Sequence, residues 1–313
     1  MIYFVAPDFK SFISGGNVFN NQIYNALLDL EKPVKQICYP LEPEYIIGKD
    51  DILIVDSIFI NDLDSSQLIG LPCKKYFICH FLPSMIGKGR GKYYELKILE
   101  LFDTIIVNSH FCFEILLNMG VSKGLIIIEP FIDQFFNISP GDQNENALII
   151  ANWLPSKQID QFLLCLTKEK SIPISITIIG STGMDPFYFK GCSRIISNSQ
   201  ELTHKIRILG EVDRKDTQLV LANSGLLLDC SAFETYGMAV AEAVAIGVPV
   251  LTLGNGNITN IVSTTSICTS LEEMVTRLIN HNWPSAISNP KVKLITEWDA
   301  FLDQFRASDK PLF

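Results

Sequence analysis

The sequence predicts two doubly wound α/β domains, and three observations lead to this fold class. The chain has 313 residues, enough for about two domains at roughly 150 residues each. Short, continuous apolar runs recur along it, as expected for strands buried on both faces of a parallel sheet. Amphipathic stretches of helical period separate these runs, and this alternation is typical of parallel sheets covered by helices.

The apolar runs fall into two sets, one in each half of the chain. The first set predicts strands at 2–6, 52–55, 76–79, 104–107 and 125–128. The second set predicts strands at 147–151, 174–179, 206–209, 225–228 and 248–251. Apolar residues at helical spacing predict amphipathic helices between the strands, among them 19–30 and 159–166.

A polar, turn-rich stretch, FNISPGDQNENA, separates the two sets and predicts a domain boundary near 133–145. We therefore expect an N-terminal Rossmann-like domain over 1–135 and a C-terminal one over 136–290. The apolar spacing of 294–305 predicts a last helix within 291–313, which could pack back on the first domain. A cleft between two such domains would suit a small-molecule enzyme.

Composition and charge exclude several classes of protein. The net charge of −9 argues against nucleic-acid binding and against a polybasic membrane anchor, because both require a basic surface. The longest apolar stretch, 238–254, is interrupted by Glu242 and Pro249, so no membrane span is expected. The eight cysteines form no C-x-x-C pair. They indicate reduced thiols in a cytoplasmic protein rather than a zinc site.

The segment CSAFETYGMAVAEAVAIGVPVL carries the strongest chemical pattern. Glu234 lies in a turn after an apolar run, and Glu242 follows eight residues later inside an apolar helical stretch. A buried carboxylate needs a partner, either the hydroxyls of a bound sugar or ribose, or a structural partner in the core. The backbone amides around Tyr236, Gly237 and Met238 open the helix and would suit an anion such as a diphosphate.

This segment resembles the E-x7-E signature of family-4 retaining glycosyltransferases of the GT-B fold. Four further segments are similar to that family and follow its order: SGGNVFNNQIYNALL (14–28), YFICHFLP (76–83), 102–133 and ALIIANWLPSKQIDQFL (147–163). The resemblance implies two Rossmann-like domains facing across a cleft. It also implies hexosyl transfer with retention, from a nucleotide-diphosphate sugar that is UDP- or GDP-linked, without a metal or other cofactor.

The resemblance assigns roles to single side chains. Lys157 would neutralise the diphosphate as charge develops on the leaving group, Glu234 would contact hydroxyls of the donor sugar, and Glu242 would contact those of the ribose. His80 would lie beside the donor sugar. Taken alone, Lys157 would be a solvated loop residue, and His80 would more often be a core or loop residue.

The donor phosphates are the implied ligands of two backbone segments. Gly15 and Gly16 would let the backbone approach a phosphate, because glycine has no Cβ, although a Gly-Gly pair alone indicates only a tight turn. Tyr236, Gly237 and Met238 would direct their amides at the diphosphate.

The sequence departs from the family at two positions. Asn152 stands five residues before Lys157, where the family usually has an arginine that also grips the diphosphate. Asparagine donates hydrogen bonds but carries no charge, so we expect Asn152→Arg to tighten donor binding, or at least not abolish it, if the loop geometry is kept. If a cation from 88–92 already fills this place, the added arginine would instead lower the affinity. Asn260 stands where the family often has a glutamate, with a consequence that the sequence does not reveal.

Two charged stretches have competing interpretations. Asp62 and Asp64 form a D-x-D pair that could hold a metal, but their setting, NDLDSS, favours a solvated turn. Lys88, Arg90 and Lys92 lie on a glycine-spaced stretch. It is either an exposed flexible loop or a loop whose cations meet an anionic acceptor or supplement Lys157. The acceptor itself, a small molecule, a glycan or a protein, is not identified.

Two other functions remain open at this point. One is a non-catalytic binding or partner subunit that keeps the glycosyltransferase fold, favoured by Asn152 and opposed by Lys157, Glu234 and Glu242. The other is a nucleotide-sugar epimerase of the same fold.

Overall fold

The computed structural model describes residues 1–9, 13–41, 45–87, 91–121, 124–132, 144–285 and 297–306. The chain forms two compact units. The first comprises Met1–Phe12, Gly16–Phe131 and Lys293–Phe313, and the second comprises Ile13–Gly15 and Ile132–Val292. The division between Phe131 and Ile132 lies beside the polar stretch 133–145, which is itself outside the described residues apart from the backbone of its last two positions.

The first unit contains a six-stranded parallel sheet. Its strands are β1 (Ile2–Val5), β2 (Val34–Ile37), β3 (Ile52–Asp56), β4 (Lys74–Cys79), β5 (Thr104–Val107) and β6 (Leu125–Ile127). They are ordered β2-β1-β3-β4-β5-β6, with Ile2 opposite Ile52 and Ile54 opposite Tyr76. The order reverses between β1 and β3, and in open α/β sheets such a switch point is where ligands bind.

Strand β2 was not predicted. Its sequence, VKQI, has two polar residues among four, and only Ile37 is buried. An edge strand with one neighbour keeps a partly exposed face, so it lacks the continuous apolar run that reveals the central strands.

Four helices of this part of the chain follow in order. They are α1 (Gly15–Asp29), α2 (Ser65–Ile69), α3 (Lys92–Leu99) and α4 (His110–Met119). Helix α1 buries Phe19, Ile23 and Leu27 against the sheet, at the spacing expected for one helical face. Each such side chain contributes roughly 1.5–3 kcal/mol by leaving water.

The second unit contains a five-stranded parallel sheet. Its strands are β7 (Asn144–Ile150), β8 (Ser175–Ile179), β9 (Ile206–Gly210), β10 (Ser224–Asp229) and β11 (Val250–Thr252), ordered β11-β10-β7-β8-β9. Its helices are α5 (Ile159–Leu166), α6 (Pro186–Ser197), α7 (Gln200–Lys205), α8 (Arg214–Ala222), α9 (Met238–Ile246) and α10 (Leu271–Ile279). The strand order reverses between β7 and β10.

The last described helix, α11 (Glu297–Arg306), belongs to the first unit. Its residues Trp298, Phe301 and Phe305 are buried in the same cluster as the inner face of α1. The Trp298 indole donates a hydrogen bond to the Glu129 carbonyl at 2.8 Å, and the Tyr76 hydroxyl donates one to Gln304 Oε1 at 3.1 Å. These contacts attach the helix to the N-terminal sheet.

Each of the ten apolar runs singled out in the sequence overlaps an observed strand, so the expectation of two parallel-sheet α/β domains is confirmed. Within the described ranges, every helix is too short or too polar to cross a bilayer.

Candidate functional site

The switch point of the second sheet collects polar residues that the sequence singled out. The connection that leaves β7 carries Asn152 and Lys157, and the connection that leaves β10 carries Glu234. Because β7 and β10 are adjacent and parallel, their carboxyl ends meet at one edge of the sheet. Open α/β sheets bind ligands at this position.

Lys157 and Glu234 form an ion pair at this edge. The chain turns through a short 3-10 segment, Pro155–Lys157, before α5, and this turn directs Lys157 Nζ to Glu234 Oε1. Burial opposes the charge of Lys157, but the attraction and hydrogen bond of Glu234, together with the charge of Asp229, raise the pKa of the lysine above its ordinary value. Lys157 is therefore a permanent cation, and a ligand anion must compete with Glu234 for it.

The backbone around Glu234 is fixed on two sides. Ala232 N donates to the Ser156 carbonyl at 2.9 Å, which ties the loop to the turn that carries Lys157. On the other side, Asn257 N donates to the Glu234 carbonyl at 2.8 Å. Gly256 has φ +76°, and a Cβ at this position would overlap the Glu234 carbonyl oxygen, so the close approach requires glycine.

Asn260, which differs from the residue common in the resembled family, takes part in hydrogen bonds at this loop. Asn260 Nδ2 donates to Asn257 Oδ1 at 3.0 Å, and Asn257 Nδ2 donates to the Tyr236 carbonyl at 3.0 Å. Asn257 is buried, and the sequence did not single it out. The two asparagines thereby hold the backbone between Glu234 and α9.

Helix α9 begins at this loop without a capping side chain. Gly237 is its N-cap in the left-handed region, at φ 91°, and a Cβ there would overlap the side chain of Ile258. No side chain among the described residues makes a capping hydrogen bond to α9. The first amides of a helix lack intrahelical partners and favour an anion. The start of α9, at Tyr236, Gly237 and Met238, is thus chemically suited to a phosphate.

Glu242 has a cationic partner that sequence reasoning missed. Arg214 Nη1, on the first residue of α8, lies 2.9 Å from Glu242 Oε1. The Glu242 side chain is 7% exposed and that of Arg214 is 29% exposed. Of the two kinds of partner expected for Glu242, the structure therefore contains the structural one. Arg214 opens an ordinary surface-patterned helix, and no local signal marks it as a partner of Glu242.

Asp229, at the last position of β10, is a second carboxylate that the sequence analysis did not select. Thr252 Oγ1 donates to its Oδ2 at 2.8 Å, and Ser231 N donates to its Oδ1 at 3.2 Å. Burial, and next the charge of Glu234, raises the pKa of Asp229 above its ordinary value. The signal that could have found it is a carboxylate at the carboxyl end of a buried strand.

Asn152 is held by hydrogen bonds within the second unit. Its Oδ1 accepts from Ser181 N at 2.8 Å, and its Nδ2 donates to the Ile13 carbonyl at 2.9 Å. Asn152 therefore joins the end of β7 to the turn after β8 and to the short segment Ile13–Gly15. This finding changes what an arginine at position 152 is expected to do.

We expect Asn152→Arg to lower the free energy of unfolding by about 1–3 kcal/mol, because arginine has no acceptor for the Ser181 amide. Urea titration would measure the loss, with Asn282→Arg, at an exposed position, as the matched control. An unchanged free energy of unfolding in Asn152→Arg would contradict the structural role of Asn152. It would also restore the expectation that an arginine at this position tightens donor binding.

In the first unit, the switch point gathers a second polar group. Asp56 ends β3 and His80 follows β4. His80 Nε2 is 2.9 Å from Asn20 Oδ1 and 3.6 Å from Asp56 Oδ2, and Asn20 Nδ2 donates to Asp56 Oδ2 at 2.5 Å. Gly16 lies beside the His80 ring, where an added Cβ would stand 3.4 Å from the imidazole carbons. Asn20 and Asp56 were not predicted.

Gly15 and Gly16 open helix α1 rather than forming a separate tight turn. Gly15, which belongs to the second unit, lies against Met238, since an added Cβ would stand 3.0 Å from Met238 Cγ. Both glycines thus allow close packing at a helix start, and their contact with a phosphate stays a prediction.

The remaining charged candidates lie apart from these groups or beyond the described chain. Asp64 caps α2 by accepting from Ser66 N at 2.8 Å. Hydrogen bonds from the Ser66 side chain and then from its backbone lower the pKa of the Asp64 carboxyl. Lys92 is exposed, and its Nζ is 3.5 Å from the Asn118 carbonyl. Lys88 and Arg90 lie outside the described residues. Within the parts of the chain that are described, no cluster of three or more His, Cys, Asp or Glu side chains could hold a metal ion.

The chain has the GT-B fold of glycosyltransferases, and part of it matches a glycosyltransferase family. Residues 131–270, the region that contains Lys157, Glu234 and Glu242, match the model of the family described as glycosyl transferases group 1. This match confirms the expectation of a glycosyltransferase. No curated protein matches the sequence at a significant level.

Solved structures share the fold of most of the chain. Sucrose-phosphate synthase from Thermosynechococcus elongatus aligns with a TM-score of 0.71 and 13% identity over 88% of each chain. Anabaena HepE, in complex with UDP and glucose, aligns with a TM-score of 0.67 and 14% identity over 89% of each chain. A mutant of S. aureus TarM, in complex with fondaparinux, alpha-GlcNAc-glycerol and UDP, aligns with a TM-score of 0.57 and 19% identity over 75% of this chain. The alignment covers about half (49%) of the TarM chain. At these identities the likeness shows the fold alone.

Proposed function

We propose that the protein is a family-4, retaining glycosyltransferase that transfers a hexose from a UDP-linked donor to an acceptor hydroxyl without a metal. The observation that carries the proposal is the Lys157–Glu234 ion pair at the switch point of the second sheet, in the same loop system as the start of α9. This arrangement offers a cation and the first amides of a helix to a diphosphate, and a carboxylate to sugar hydroxyls. HepE and TarM, which share the fold, were crystallised with UDP.

In the proposed reaction the acceptor oxygen bonds to the anomeric carbon on the face from which the diphosphate leaves. The bond between that carbon and the phosphate oxygen breaks, and the leaving diphosphate oxygen takes the proton of the acceptor hydroxyl. Lys157 and the amides at the start of α9 stabilise the charge that develops on the diphosphate. Glu234, released from Lys157 by the bound anion, accepts hydrogen bonds from the sugar, and Glu242 accepts them from the ribose.

A non-catalytic subunit that binds a nucleotide sugar is the second candidate. Asn152 favours it, because its amide is engaged with Ser181 and Ile13 and brings no charge to the diphosphate. Such a protein would keep the binding groups and lack turnover.

Incubation with a panel of UDP- and GDP-sugars, with acceptor mixtures, separates these candidates. We expect one UDP-sugar to raise the melting temperature, and release of UDP that continues in EDTA. A ligand at 100 times its dissociation constant adds about 2.7 kcal/mol of stability. Stabilisation without UDP release under any acceptor condition would favour the non-catalytic subunit, and loss of release in EDTA that manganese restores would contradict the metal-free reaction.

A further inference from the structure

The His80 ring is held by a chain of polar side chains from three elements of the first unit. Asp56 ends β3, Asn20 lies on α1, and His80 follows β4. Asn20 is fully buried and Asp56 is 3% exposed, so neither side chain can exchange its partner for bulk water. The Phe19 ring packs edge-on against the imidazole at 5.7 Å, which restricts its orientation further. The hydrogens of this chain therefore follow a fixed order.

That order begins at Asp56, because an ionised carboxylate only accepts hydrogen bonds. Its Oδ1 accepts from Ile58 N at 2.7 Å, and its Oδ2 accepts from Asn20 at 2.5 Å. Asn20 must therefore present its NH2 group to Asp56. Its carbonyl oxygen then lies 2.9 Å from His80 Nε2, which can satisfy that oxygen only by donating a proton.

We propose that Asp56, acting through Asn20, fixes His80 as the tautomer protonated on Nε2, with Nδ1 presented as the hydrogen-bond acceptor for a ligand. Asp56 and Asn20 are positioning residues in this arrangement, and His80 is the residue that contacts the ligand. The Asp56 carboxylate thus decides which nitrogen of His80 carries the proton, and it does so through the side chain of Asn20.

Two features of the surroundings support this assignment. Burial lowers the pKa of His80 below its ordinary value, against the opposing attraction of Asp56, so the ring is neutral near pH 7. Asp56 is the charged group that faces the ring in the described chain, while α1 contributes the neutral Asn20 and Phe19. Gly16 lies against the ring, where an added Cβ would stand 3.4 Å from Cγ and Cδ2 and 3.7 Å from Nδ1.

The chemistry of Nδ1 indicates the ligand group. A neutral nitrogen with a lone pair accepts a hydrogen bond from a hydroxyl and gives nothing to a phosphate oxygen, which is itself an acceptor. A sugar hydroxyl fits this requirement. This link to a sugar rests on the proposed function, whereas the tautomer of His80 does not depend on it.

The tautomer can be measured by two-bond 1H–15N NMR spectra of the whole protein, since the chain has four histidines. We expect His80 of the unaltered protein to show a protonated Nε2 and an unprotonated Nδ1. In Asp56→Asn, Oδ1 stays with Ile58 N, so an NH2 group replaces the oxygen that faces Asn20. Asn20 must then turn its carbonyl to position 56 and its NH2 to the ring, and His80 should switch to the Nδ1-protonated tautomer. Asp64, like Asp56, accepts a hydrogen bond at the start of a short helix, but it is exposed. Asp64→Asn should therefore leave the tautomer of His80 unchanged.

An Nδ1 proton in the unaltered protein, or an unswitched tautomer in folded Asp56→Asn, would overturn the proposal. If Asp56→Asn fails to fold, Asn20→Asp replaces it as the test. That variant sets a second carboxylate against Asp56 and His80, so the His80 pKa should rise above that of the unaltered protein, and an unchanged pKa would refute the hydrogen-bond chain.

Activity separates the ligand role from the tautomer. We expect kcat/KM for the nucleotide sugar to fall about tenfold in Asp56→Asn, because a protonated Nδ1 cannot accept a hydrogen bond from the sugar hydroxyl. It should stay unchanged in Asp64→Asn. A switched tautomer with unchanged kcat/KM would overturn the role of Nδ1 in binding sugar. Absence of transferase activity in the unaltered protein would count against the proposed function and leave the tautomer result standing.

Discussion

Lys157→Ala is expected to reduce turnover at least about 100-fold, the effect typical of removing one preorganised charge contact. The reason is that Asn152 carries no charge and is committed to Ser181 and Ile13, whereas the family that the sequence resembles usually has an arginine at this position. Of the candidate residues that the structure describes, Lys157 is therefore the cation that stabilises the charge of the leaving diphosphate in the proposed reaction.

Steady-state release of UDP measures this effect, and Lys168→Ala provides the control. Lys168 is also a lysine of the second unit, but its side chain is 66% exposed and its Nζ is 3.8 Å from Glu272. Thermal melting of both variants checks that Lys157→Ala is folded, since the substitution leaves Glu234 without its partner. Turnover of folded Lys157→Ala within a few-fold of the unaltered protein would remove Lys157 from the donor site.

The central strands were predictable because each sheet is parallel and covered on both faces. A run such as ILIV in β3 or LLL in β10 has no polar alternation, which is typical of a strand with both faces buried. The edge strand β2 lacks the pattern because it is only half buried. The apolar residues at 159–166 that predicted helix α5 lie within the observed helix, since its apolar face is uninterrupted.

The candidate site was predictable only where its residues form a local motif. Glu234 and Glu242 stand in one segment, but the partner of Glu234, Lys157, is 77 residues away in the sequence. In the first unit, His80 is likewise 60 residues from its partner Asn20. Such pairs follow from sheet topology, which brings the ends of neighbouring strands together. Carboxylates at the ends of buried strands, Asp56 and Asp229, were the available signal.

The ion pair between Arg214 and Glu242 leads to a large expected effect on stability. Arg214→Met is expected to lower the free energy of unfolding by about 3 kcal/mol, because it removes the cation that compensates the buried charge of Glu242 inside an apolar helix. Lys215→Met, at the neighbouring exposed position of α8, should change it by no more than about 0.5 kcal/mol.

The double variant Arg214→Met/Glu242→Leu separates stability from function. Removing both charges abolishes the desolvation cost of the pair, so the double variant should recover most of the stability lost in Arg214→Met. UDP binding should not recover with it, because the carboxylate proposed to accept the ribose hydroxyls is gone. Urea titration and calorimetry with UDP on the same samples measure both quantities. A double variant that regains stability and still binds UDP as tightly as the unaltered protein would show that Glu242 serves the core alone. A double variant no more stable than Arg214→Met would show that Arg214 stabilises the fold through contacts other than Glu242.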